Sequence, residues 1–146
     1  MLPDVNVLIA AFRKDHPQHP IAADWLKQTL ASTADGQLLQ LPIGVISSFL
    51  RLVTNPKIFP TPTPAGKAVD FIDWLLEDPK VEPVAAGAEW PDMRNLVLKK
   101  QLVANQIPDA QLAAMAIHRS EPLVTFDKGF RQLLPPSLLV FLRPNS

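Results

Sequence analysis

Three aspartates stand where an apolar run of this chain gives way to something else. Asp4 follows "MLP" and precedes "VNVLIAAF", Asp109 lies near the start of "IPDAQLAAMAIHR", and Asp127 follows "PLVTF". Each alone has an ordinary use. Asp4 suits the cap of a helix beginning at Val5, Asp109 complements the positive end of a helix dipole for ~0.3–1 kcal/mol, and Asp127 suits a turn. Gathered on one rim, the three would do chemistry instead. Two carboxylates 4 Å apart repel by about 4 kcal/mol at an effective dielectric of about 20, so such a cluster must share a proton or hold a cation. An all-oxygen set suits hard ions such as Mg²⁺ or Mn²⁺. An ion of that kind lowers the pKa of a water and polarises a phosphoryl oxygen, which is the chemistry of phosphodiester hydrolysis.

The segments between the acids are of the kind that builds such a rim. "MLPD" reads as a very short strand ending in the acid, followed by a helix from about Val5 to Arg13. After the loop "KDHPQHP", the stretch "IAADWLKQTLAS" carries Ile21, Trp25, Leu26 and Leu30 at helical spacing. "QLLQLP" is a short apolar strand, and "IGVISSFLRLVTN" a helix through Val45, Phe49, Leu52 and Val53 that Pro56 stops. Four prolines between 56 and 64 make a stiff connection. "KAVDFIDWLLED" predicts a helix with Val69, Ile72, Leu75 and Leu76 on its inner side, and "KVEPVA" a short strand. "EWPDMRNLVLKKQL" and "IPDAQLAAMAIHR" predict two more helices, the second rich in small residues. "PLVTF" and "LLVFL" are apolar on both faces and read as buried strands. Short apolar strands alternating with amphipathic helices predict an α/β architecture with a mainly parallel sheet covered on both faces. Ligand sites of such sheets lie beyond the carboxyl ends of the strands, where Asp4 and Asp127 fall.

Length and composition narrow the classes. A chain of 146 residues predicts a single domain over 1–146. Its 14 basic and 14 acidic residues cancel, so there is no bulk basic footprint for nucleic acid, and any contact must be local, with Lys99, Lys100, Arg119, Lys128 and Arg131 as candidates. No apolar run is long enough to cross a bilayer, and the first residues are not those of a secretory leader, so a cytoplasmic protein without membrane contact is expected. The absence of cysteine excludes disulfides and thiolate metal sites. His16 and His19 sit among prolines and read as loop residues, while His118 suits the negative end of a helix. Trp25, Trp74 and Trp90 are spaced as core or subunit-contact residues, no glycine-rich phosphate loop occurs, and Ser47 and Ser48 lack a nucleophile elbow.

"LPDVNVLIAAF", "FLRLVTNP", "NQIPDAQLAAMAIHR" and "PLVTFDKGF", in this order and spacing, resemble the PIN-domain ribonucleases and, among them, the VapC-like toxins of type II toxin–antitoxin pairs. The resemblance spans nearly the whole chain. It implies a three-layer α/β/α fold, Mg²⁺- or Mn²⁺-dependent cleavage of RNA, homodimerisation, and neutralisation by a small antitoxin. Carried over by position, Asp4, Asp109 and Asp127 match the family acids that hold the metal. Asn6 and Thr125 match polar residues that orient carboxylates or water, and Arg51 matches an arginine that meets a phosphate.

The chain departs from the family pattern at two places. Ser48 stands where a glutamate is common, with no acid between Gly36 and Val69 to replace it, and Gly129 stands where a further aspartate is frequent. A neutral hydroxyl at 48 removes one negative charge and should weaken metal affinity. It also leaves open a PIN-like protein that binds a partner without catalysis. A phosphatase of the haloacid dehalogenase type also begins with an acid after its first strand, but it uses a second aspartate two residues on, where this chain has Asn6.

Overall fold

The computed structural model of the protein describes residues 1–33 and 36–143. Five short strands, β1 (Leu2–Pro3), β2 (Leu39–Pro42), β3 (Val81–Val84), β4 (Leu123–Thr125) and β5 (Leu139–Phe141), are paired in parallel as β1-β4-β5 and β2-β3. The Gln40 N–H donates to the Met1 carbonyl oxygen at 2.8 Å, which joins the two groups into the order β3-β2-β1-β4-β5. The chain thus builds outward from β1 through β2 to β3, then returns to lay β4 against the other side of β1. That reversal opens a crevice at the carboxyl ends of β1 and β4.

Six helices fill the crossovers: α1 (Val5–Phe12), α2 (His19–Ala31), α3 (Ile43–Val53), α4 (Ala65–Glu77), α5 (Trp90–Lys100) and α6 (Gln106–Arg119). α1 packs on α2 and α3, and α3 on α4, while α5 lies on α6 and α6 on β4. The result is the expected three-layer α/β/α arrangement. Only small side chains let α6 approach the sheet closely, and Ala110, Ala113, Ala114 and Ala116 are all buried. Phe12, Phe49 and Phe71 meet between α1, α3 and α4 with ring centroids 4.8 to 5.5 Å apart, favourable tilted and edge-on geometries.

Two expectations need correction. On α4 the buried stripe is Ala68, Ile72 and Leu75, whereas Val69 and Leu76 are exposed. The small Ala68 marks the closest approach, and apolar residues beside the stripe misplaced its centre by part of a turn. β5 is not buried: among the described residues it pairs with β4 alone, at the sheet edge, and Val140 is exposed. Trp74 and Trp90 also stand outside the core, both more than half exposed.

Arg13, at the end of α1, has a role that spacing could not reveal. It is buried, with Nε and Nη2 on the Asp15 carboxylate at 2.9 and 2.6 Å, Nη1 on Thr63 Oγ1 at 3.1 Å, and Nη2 on the Thr61 carbonyl at 3.0 Å. Its guanidinium also lies 3.9 Å from the Phe59 ring centre. One planar cation therefore pins the proline-rich connection onto the end of α1.

Candidate functional site

Asp4 is the first residue past β1, and its N–H donates to the Val124 carbonyl at 2.8 Å, so the β1–β4 register fixes its backbone. It occupies the N-cap position of α1 yet makes no side-chain capping bond. The capping role expected of it is therefore not the one it plays. Its Oδ2 instead accepts from the fully buried Thr125 hydroxyl at 2.8 Å. Thr125 Oγ1 in turn accepts from the Asp127 N–H at 3.0 Å, so the hydroxyl proton has Asp4 as its acceptor. The ends of β1 and β4 are thus joined by one polar chain.

Asp127 does act as a turn former: its Oδ1 accepts from the Gly129 N–H at 2.8 Å and starts a short 3₁₀ turn over Lys128–Gln132. A Cβ added at Gly129 would lie 3.0 Å from that same oxygen, so the absence of a side chain at 129 keeps this carboxylate seated. Asp109 lies in the first turn of α6 and is partly exposed.

Asp4 and Asp109 line a cavity of about 270 Å³ with Pro42, Ser48, Gln111 and Met115. No lysine, arginine or histidine contributes to its wall. Asp127 stands within electrostatic reach of both acids. Burial pushes the Asp4 carboxyl up to about 6, the Thr125 hydroxyl and Val5 N–H pull it back, and the charges of Asp109 and Asp127 push it up again. Asp109 is also raised, first by burial and then by Asp127. Three carboxylates thus share a region with no basic side chain in the cavity wall to balance them.

The donor set fits a hard cation. Thr125 engages only Oδ2 of Asp4, Gly129 only Oδ1 of Asp127, and Asp109 carries no hydrogen bond among the described residues. Oxygens therefore remain available from all three. Among the described residues, no three acids or histidines stand close enough to enclose an ion ready-made.

Of the other predicted residues, Ser48 is in the cavity wall, whereas Asn6 and Arg51 are exposed and outside it. Sequence reading missed Gln111, which is in the wall, and the buried Glu89 behind it. A buried glutamate ahead of a helix carries no periodic signal that would have flagged it. His16 and His118 behave as expected, but His19 does not lie in a loop: Pro20 suits the first turn of a helix, and His19 opens α2. His16 Nδ1 accepts from the Gln18 N–H, His19 Nδ1 lies 2.8 Å from the Ala10 carbonyl, and His118 faces Asp92 across α5 and α6 at 3.8 Å. A larger groove of about 710 Å³, between α2 and the chain after β5, holds Asp24 and Arg143 but gathers no cluster of acids. Its size does not make it the reactive site.

The parallel sheet crosses over between β3 and β4, with acids following β1 and β4 and in the first turn of α6. Residues 1–133 match the PIN domain, and the chain belongs to the PIN-domain family. Within that family it is similar to Ribonuclease VapC25 of Mycobacterium tuberculosis (strain ATCC 25618 / H37Rv), 37% identical over 145 residues and covering 91% of this chain and 96% of the relative. It is also similar to Ribonuclease VapC43 of the same strain, at 36% over 130 residues, covering 87% and 85%. Two solved structures share the fold. VapBC2 from Rickettsia felis, bound to a promoter DNA fragment, has a TM-score of 0.66 at 17% identity over 97% of this chain and 98% of that one. VapC20 of Mycobacterium tuberculosis, a Sarcin-Ricin loop cleaving toxin, has a TM-score of 0.63 at 18% identity over 89% and 92%.

Proposed function

We propose that this protein is a metal-dependent endoribonuclease, the toxin of a toxin–antitoxin pair, and that Mg²⁺ or Mn²⁺ is its cofactor. The observation that carries this reading is a cavity with two carboxylates and no basic residue in its wall, a third acid beside it, at the crevice of a PIN-domain sheet. Asp4 and Asp109 are the principal ligands and Asp127 completes the charge cluster. A divalent ion held there supplies a more acidic water and a polarised phosphoryl oxygen. Thr125 orients Asp4 by donating to one of its oxygens, and Ser48 offers a hydroxyl to a water where an acid is common in the family. In this reading Asn6 orients a carboxylate or water and Arg51 meets an RNA phosphate; both side chains are exposed.

The relatives' names and the toxin–antitoxin complexes among the structural neighbours support a small antitoxin as partner. A homodimer and a cytoplasmic location belong to the same reading, and no helix among the described residues is long and apolar enough to cross a membrane. One continuous hydrophobic cluster from Leu2 to Leu134 supports treating 1–146 as a single PIN-like unit.

Incubating the purified protein with total RNA, with Mn²⁺ or with EDTA, tests the enzyme reading. Cleavage that needs the metal and is lost in Asp4→Asn is expected; cleavage indifferent to both refutes it. The partner reading is tested by co-expressing the neighbouring small reading frame and asking whether its product co-purifies and suppresses cleavage. Ser48 favours one second reading, a PIN-like protein that binds without cutting, which predicts no cleavage under any metal.

A further inference from the structure

Glu89 stands at the N-cap position of α5 but, like Asp4, does not cap its helix. Only 4% of it is exposed. Burying a carboxylate is unfavourable unless its oxygens are hydrogen-bonded, and here both are: Oε2 accepts from the Gly87 N–H at 2.8 Å and Oε1 from the Gln111 side-chain amide at 3.2 Å. The positive φ of 128° at Gly87 is glycine-only territory, so the loop after β3 is shaped around this contact. Glu89 therefore ties that loop to α6 across 22 residues of sequence. Both tied segments contribute to the cavity, the loop through Ala86 and the helix through Gln111.

The tie dictates what Gln111 presents. An ionised carboxylate only accepts, so the amide must turn its NH₂ towards Glu89, leaving the carbonyl oxygen as its free acceptor. No partner for that oxygen occurs among the described residues, and the side chain, two positions past Asp109, is otherwise exposed. An unbraced glutamine there would rotate freely and offer donor or acceptor alike. A buried acid that holds it in one orientation, beside Asp4 and Asp109, gives that part of the cavity a defined requirement for a hydrogen-bond donor.

We propose that Gln111, held by Glu89, reads one nucleotide beside the scissile phosphate by accepting a hydrogen bond through its amide oxygen. Glu89 acts through Gln111 and is a positioning residue. The donor is either an N–H of the nucleobase or the ribose 2′-hydroxyl, both of which RNA offers at an unstacked nucleotide. This inference rests on the ribonuclease reading.

The test maps the 5′ ends produced from total RNA by the wild type, Gln111→Ala and Glu89→Gln, with melting temperatures as a control for folding. At one position relative to the cut, Gln111→Ala is expected to lose base preference by about tenfold, with KM at the preferred site rising and kcat changing little. Glu89→Gln, which lets the amide flip, alters preference at that same position. If the donor is the 2′-hydroxyl, base preference stays and the penalty for a single 2′-deoxy substitution there disappears in Gln111→Ala. The proposal is overturned if cut sites and 2′-deoxy penalties both stay as in the wild type, even where Gln111→Ala slows every site equally, or if the two variants act at different positions. Should the wild type cut no RNA, the ribonuclease reading fails by itself. Anisotropy titrations of labelled RNA oligomers of each base, and their 2′-deoxy counterparts, in EDTA then decide. Discrimination lost in Gln111→Ala supports the role, and equal affinities in all proteins end it.

Discussion

At the scale of single residues, Asp4 is a charge held where its charge is unwelcome. With its carboxyl raised to about 6 from the ordinary 3.8, the native state binds more protons than the unfolded state between those two values. Stability therefore falls as pH rises from about 4 to about 6 and is level above that. The full loss is about 3 kcal/mol at 1.36 kcal/mol per unit. Without divalent ions, Asp4→Asn should match the wild type near pH 4 and exceed its stability at pH 7 by up to about 3 kcal/mol, measured by urea unfolding across that range. Equal pH dependence in the two proteins would contradict this account of Asp4. Ser48, in the same wall, gives the opposite lesson. Ser48→Glu adds an acceptor charge to an acidic cavity, so Mn²⁺ affinity by calorimetry should rise about tenfold, or ~1.4 kcal/mol, and the apoprotein should lose stability at neutral pH.

At the scale of elements, most helices were readable from an apolar face at helical spacing and β1, β2 and β4 from short runs buried on both faces. The strand-to-acid steps at Asp4 and Asp127 were equally plain, because an apolar run ended in a carboxylate. Legibility failed where neighbours decide. The inner stripe of α4 depends on how near α3 comes, and the exposure of β5 depends on nothing pairing beyond it. The Arg13 clamp and the Glu89–Gln111 tie join segments with no common periodicity. Two substitutions weigh these contacts. Phe49→Ala removes the ring between α1 and α4 and should cost about 3–5 kcal/mol in chemical unfolding. Arg13→Lys keeps the charge but cannot reproduce the fork on Asp15, Thr63 and Thr61. It should destabilise by about 1–3 kcal/mol, with faster amide exchange concentrated in residues 56–64.

At the scale of the whole molecule, the sheet order brings together acids that the chain keeps far apart. A ligand that binds only the assembled cluster stabilises the entire fold by mass action, about 2.7 kcal/mol at a hundred times its dissociation constant. Mn²⁺ should therefore raise the melting temperature of the wild type, and Asp109→Asn should abolish most of that rise; equal shifts in both would place the ion elsewhere. The hydrogen bond joining Thr125 to Asp4 spans 121 residues. During synthesis Asp4 leaves the ribosome early, but nothing can seat it against β4 until β4 itself has been made. A half-finished copy therefore carries the first acid without its seat, and the cluster is completed only when the return strand slots in beside the first.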